Sequence, residues 1–209
     1  MQTYPIKFQK RLKIGRKEAK DVRRKGILKI ALLDLNHTTT GLHTCTMPLG
    51  IGLLASYLLE KLPKGSIDVW LYKFADDLTA DLAQKFDIVG FSLQYELSYT
   101  NVLNMLELGG IPLRSKERGE HHPVVIAGGP CTFNPAPMAD FIDAFVIGEG
   151  EEVISEIAAA AMEATVEGRS RRDVIAALAA IDGVYVPALH AGGERITKRL
   201  VHSLDEWLP

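Results

Sequence analysis

Cysteine is scarce in these 209 residues. Only Cys45 and Cys131 occur, 86 positions apart. That is no disulfide framework, and it supplies too few ligands for a structural zinc site or an iron–sulfur cluster. Long apolar runs are missing as well. None approaches the roughly 20 residues that span a bilayer, and the opening MQTYPIKFQKRLKIGRK lacks the apolar segment of a signal peptide. The expected address is the cytoplasm, with no membrane partner. The common phosphate and nucleophile motifs are absent too: the chain has no G-x-x-x-x-G-K-[ST] and no G-x-S-x-G. Where a dinucleotide site would want G-x-G-x-x-G, the sequence reads NHTTTGLHT with only Gly41. Gly50-Ile51-Gly52 with Ala55 fits the looser form, but it lies fifteen residues past Leu35 and inside a helical pattern, where close packing is the expected reason for it.

What is present is enough for one core. The chain is 47% hydrophobic and carries a net charge of −2, but the charge is unevenly spread. Residues 1–25 hold ten Lys or Arg against Glu18 and Asp21, a local charge of +8 that leaves −10 for the remainder. Such a basic arm is a solvated extension packing on a neighbouring domain, or it meets an acidic or nucleic-acid partner. Only Tyr4 and Phe8 interleave with the basic residues, so the stacking half of a single-strand nucleic-acid site is weak.

From residue 26 onward short apolar runs alternate with helical patterns, the signature of βαβ units and a parallel sheet. The expected strands are Ile27–Leu35, Ile67–Phe74, Ile88–Ser92, Val124–Ala127 and Ala144–Ile147. Helices are expected over Leu49–Leu62, stopped by Pro63, and over Asp76–Lys85, Ser98–Leu108 with Ser98 as cap, Glu149 to about Glu167, and Arg171–Ala180. The fold class that follows is α/β: a doubly wound, flavodoxin-like or Rossmann-like sheet of five parallel strands with helices on both faces. It occupies residues 26–182. Residues 183–209 change character. Gly183–Leu189 and Arg195–Val201 flank Gly192-Gly193, which reads as a hairpin or a linker toward a further domain.

In such a sheet ligands lie beyond the carboxyl ends of the strands. Two apolar runs, VVIAGGP and FVIGEGEE, break there on glycine, at Gly128-Gly129-Pro130 and Gly148-Glu149-Gly150. Two other segments reach the same edge. Asn36–Pro48 has thirteen residues against the usual two to six or so, and it offers His37, Thr38, Thr39, Gly41 and His43 to a ligand. Ser92, Leu93 and Gln94 follow the third strand. Each candidate has a plainer reading. His37 is a metal ligand, a general base or a loop histidine. Ser92 bonds a ligand or the next turn, and the glycines admit a ligand or only turn tightly. The glutamates at 149, 151 and 152 complement a helix dipole. Neither cysteine has an evident activating base.

The segments LKIALLDLNHTTTGLHTCTMPLGIGLLASYL, DIVGFSLQYELSYTNVLNML and VVIAGGPCTFNPAPMADFIDAFVIGEGEEVISEI resemble the N-terminal cobalamin-binding-like domain of radical SAM proteins, over about residues 25–209. The resemblance implies a flavodoxin-like domain carrying cobalamin on its carboxyl edge, with the nucleotide tail beside the sheet. The implied contacts are Asn36, His37, Thr38, Thr39, Gly41, Ser92, Leu93, Gln94, Gly128, Gly129, Pro130, Gly148, Glu149 and Gly150. Asn36 stands where the strict D-x-H-x-x-G signature has histidine, and His37 comes one position late, so no histidine ligand to cobalt is expected. The cluster motif C-x-x-x-C-x-x-C is also missing from the chain. The iron–sulfur cluster and S-adenosylmethionine would therefore belong to a separate catalytic domain, the expected partner, with no catalytic residue and no metal ligand in this one. The expected role is a corrinoid-binding accessory domain, or, in the alternative, a cofactor-free interaction module.

Overall fold

The computed structural model describes residues 27–34, 49–72, 85–190 and 195–201. The basic arm, the loop after the first strand, most of the helix expected over Asp76–Lys85 and the Gly192-Gly193 turn lie outside the described residues.

The strands are β1 (Leu28–Asp34), β2 (Ile67–Tyr72), β3 (Ile88–Ser92), β4 (Val124–Gly128), β5 (Ala144–Val146) and β6 (Val184–Tyr185). They form one sheet in the order β2-β1-β3-β4-β5-β6. The first five run parallel, in a register that sets Leu28 beside Ile67, Ile30 beside Ile88, Ile88 beside Val124 and Ile126 beside Ala144. This is the mixed α/β, doubly wound arrangement expected from the alternating pattern.

Strand periodicity builds the core directly. Successive side chains point to opposite faces, so Leu28, Ile30, Leu32, Ile88, Ile126 and Val146 share one buried cluster. Ala31, Leu33, Val89, Phe91, Val125 and Phe145 share the other. The first face is covered by α1 (Leu49–Lys61), α3 (Val153–Val166) and α4 (Arg171–Ala179), through Ile51, Ala55, Leu58, Ile154, Ile157, Ala161 and Leu178. On the second face α2 (Tyr99–Leu108) places Val102, Met105 and Leu106, joined by Met138 and Ile142. Strands buried on both sides read as near-continuous apolar runs. Each fully buried Leu, Ile or Phe contributes about 1.5–3 kcal/mol.

Three local expectations change. The sheet has six strands, not five: Val184–Tyr185, part of the stretch read as a hairpin or linker, pairs antiparallel with β5, Tyr185 beside Phe145. Its partner is an earlier strand because Asp182-Gly183 turns the chain back against β5, where Ile147 N donates to Gly183 O at 2.8 Å. The two amides of this segment that face away from β5 are also used, Val184 N by Ile181 O at 3.0 Å and Val186 N by His190 Nδ1 at 2.8 Å. Ser98 does precede α2, but its hydroxyl donates to Tyr95 O at 2.7 Å and makes no cap bond. The helix expected from Glu149 begins at Val153, because Gly148 and Glu149 are engaged with residues 199–201 in the contacts described below. Among the described residues, no helix is long and apolar enough to cross a membrane.

Candidate functional site

The strand order reverses between β1 and β3. This is the switch point where ligands of doubly wound sheets lie. Asp34 and Ser92, paired in register, end the two strands. Ser92 is half-buried and accepts a hydrogen bond from Gln94 Nε2 at 2.6 Å, while Gln94 is exposed and Leu93 between them is buried. Asn36, His37, Thr38, Thr39 and Gly41, expected to complete this crevice, lie outside the described residues.

The turns after β3 and β4 are tied together by the main chain. Leu93 N donates to Gly128 O at 2.7 Å, and Cys131 N to Leu93 O at 3.1 Å. This close approach explains Gly129: its φ is +105°, and a Cβ there would stand 2.7 Å from Leu93 O. Pro130 opens a short 3-10 turn, Pro130–Phe133, in which the buried Thr132 hydroxyl donates between the carbonyls of Val146, 2.7 Å away, and Gly129, 2.8 Å away. Gly128 is the last residue of β4.

After β5 the chain is met by its own later segment. Gly148 pairs with Arg199 in a parallel bridge; Arg199 N donates to Ile147 O at 2.8 Å and Glu149 N to Arg199 O at 3.1 Å. Gly148 has φ +109°, and a Cβ there would collide with the Arg199 carbonyl. The Arg199 guanidinium holds Glu152 Oε2 at 2.9 Å and Glu156 Oε1 at 2.5 Å, and Val201 N donates to the Glu149 carboxylate. Gly150 lies beside Leu54. The glycines at 129 and 148 thus make room for backbone of this chain.

Two ionisable groups on the same edge are held toward their neutral forms. Burial raises the Cys131 thiol, with Glu96 adding to the effect and a hydrogen bond with Tyr99 opposing it. Burial likewise raises the Tyr99 phenol, next to the same thiol. A thiol held protonated is a poor nucleophile. Among the described residues, no group of three His, Cys, Asp or Glu could hold a metal ion. Among the described residues, Gly50 and Gly52 of α1 have no neighbour within 4 Å of where a Cβ would stand.

The opposite edge holds a buried ionic cluster that no sequence motif announced. Asp143, just before β5, accepts from Arg118 Nη1 at 3.0 Å, Arg171 Nη2 at 2.5 Å, Val125 N at 2.7 Å and the Ser115 hydroxyl. Arg118 also donates to the carbonyls of Pro112, Leu113 and Phe141. Burial lowers the Arg118 pKa and Asp143 opposes that, but a guanidinium stays charged. Beside it, His122 Nδ1 accepts from Gly119 N at 2.9 Å, and burial with neighbouring His121 lowers its pKa.

Residues 76–187, the central helices and strands around both edges, match the family described as radical SAM proteins, N-terminal. The chain belongs to that family. An 80-residue stretch of this radical SAM N-terminal domain is also 30% identical to an uncharacterised protein of Methanocaldococcus jannaschii. The match covers 37% of the chain and 16% of the archaeal protein.

Of the positions implied for a corrinoid, those at the end of β3 present the Ser92 hydroxyl and the Gln94 amide. Backbone atoms of Leu93 and Arg199 stand beside Gly129 and Gly148, and a Cβ on Gly90 would lie 2.9 Å from the terminal methyl Leu32 Cδ2.

Proposed function

We propose that this chain is an accessory domain of a radical SAM protein that works through the carboxyl edge of its sheet, holding a corrinoid at the β1–β3 crevice for a catalytic domain. The observation that supports this reading is the switch point itself, ended by the half-buried Ser92 and its Gln94 partner, in a domain of the radical SAM N-terminal family. A bound corrinoid would supply a methyl carrier or an electron-transfer centre. The chain's own residues would orient it through Ser92 and Gln94 and would exclude side reactions.

A second reading, a cofactor-free interaction module, is favoured by a different observation. The glycine turns at 129 and 148 admit backbone of the same chain. One measurement separates the two. The purified chain is incubated with hydroxocobalamin, free ligand is removed, and the visible spectrum is recorded. Stoichiometric retention, abolished in Ser92→Trp, is the outcome expected for the corrinoid reading. A folded chain that retains none leaves the interaction module as the account.

A further inference from the structure

The two outer strands of the sheet differ in length and in what they leave open. β2 ends the strand order on one side with six residues, against two in β6 on the other. Leu28 N donates to Ser66 O at 2.9 Å while Leu28 stands beside Ile67. Alternation then turns the main-chain groups of Asp68, Trp70 and Tyr72 toward β1 and those of Ile67, Val69 and Leu71 outward. Among the described residues, none bonds to these outward groups. Such a row is a template for another strand. The helix above it leaves the same flank open. α1 packs on β1 and β2, with Ile51, Ala55 and Leu58 in the core and Leu54 against Gly150, just before α3. Gly52, Ser56 and Leu59, at helical spacing, form the face turned to the β2 flank. Leu59 is 56% exposed, and the Ser56 hydroxyl is already satisfied by Gly52 O at 3.0 Å.

We propose that this flank joins two copies of the chain, β2 against β2, antiparallel about a two-fold axis at Val69, so that two sheets become one. Three observations select a second copy as the occupant. The outward residues are symmetric about Val69. The two Val69 residues exchange both main-chain bonds, and Ile67 of each copy faces the other copy's Leu71, apolar against apolar on the first face of the sheet. The charges also match. Asp68 is exposed, and in this register it stands across from the other copy's Trp70, whose ring carries the Lys85 ammonium 3.8 Å from its centroid. Carboxylate thus meets ammonium twice in each dimer. The helices fit as well. Strands lie about 4.8 Å apart, so a helix seated over β1 and β2 comes about 10 Å from its copy across the seam, the distance at which helices pack. Leu59 then reaches the other copy's Gly52, where, among the described residues, a Cβ would meet nothing within 4 Å.

The test is sedimentation velocity of the whole chain over the micromolar range, with circular dichroism confirming that each variant is folded. A reversible monomer–dimer equilibrium is expected. Val69→Pro removes one outward amide from each copy and leaves every β1–β2 bond in place. It should raise the dimer Kd roughly a hundredfold, because both bonds of the central pair are lost and two carbonyls are left unpaired. Leu59→Glu, a change on the exposed side of α1 and outside the strand, should raise it roughly tenfold. Asp68→Lys and Lys85→Asp should each weaken the dimer by roughly tenfold, and the two together should restore it, since the swapped charges again face each other. A chain that is monomeric at every concentration overturns the proposal. So does a dimer indifferent to Val69→Pro and Leu59→Glu, or one in which the double charge variant is no tighter than the singles.

Discussion

At the amino edge of the sheet, Asp143 is buried between two arginines, and its carboxylate, two main-chain segments and a serine hydroxyl close one connected polar cluster. At the carboxyl edge, the described turns are fastened by backbone hydrogen bonds, the buried Thr132 hydroxyl and the half-buried pairing of Arg199 with Glu152 and Glu156, and side chains such as Gln94, Glu96, Leu97 and Phe133 face outward. The ion pairs of the first edge are buried and those of the second are partly open to solvent, so breaking the first should cost the fold more.

Substitution at Asp143 tests this contrast most severely. Asp143→Ala leaves Arg118 charged and buried, a situation that costs about 3–5 kcal/mol. Urea unfolding should show a loss of that size, with corrinoid retention unchanged in whatever fraction remains folded. A loss no larger than that of an exposed ion pair would remove the contrast between the edges. Gly148→Ala comes next. The added Cβ meets the Arg199 carbonyl at a positive φ, so the 198–201 segment should detach at a cost of roughly 1–3 kcal/mol. Hydrogen exchange would register this as lost protection at Arg199 N and Glu149 N; protection kept at both amides would show that the glycine is not what seats Arg199.

The smallest expected effect is a pH response confined to the amino edge. The folded-state pKa of His122 is lowered from 6.5 by burial and by His121. The unfolded chain therefore binds the proton more readily, and stability should fall as pH drops below the ordinary histidine value, through the window between 6.5 and the depressed folded pKa. In His122→Gln that slope should disappear from the unfolding midpoint against pH. A slope of the same size in the variant would assign the response to another group.

The fold was legible because its information is local. Strands such as ILKIALLDL and IVGFS announce themselves by apolar runs of strand length, and Pro63 stops α1 where the pattern ends. The edge was legible in outline for the same reason, through the glycine breaks. What those glycines do was not, since it depends on residues far along the chain: Leu93 lies 36 positions before Gly129, and Arg199 lies 51 after Gly148. The Asp143 cluster is hidden in the same way, its arginines coming from positions 118 and 171, in segments whose charges resemble ordinary solvated ones. β6 was legible only as part of a hairpin or linker, because two residues carry no periodicity and its pairing with β5 is decided by the turn at Gly183.

That two-residue strand has a further consequence for the molecule in a crowded solution. A sheet invites growth wherever unpaired amides line an outer strand. Here the outer strand is too short to template another, and its two outward amides are already occupied, one by Ile181 O and one by the imidazole of His190, which stacks on Tyr185 with ring centroids 5.7 Å apart. Pro187 follows at once and has no amide to offer. On this flank the molecule carries its own protection against strand-to-strand aggregation.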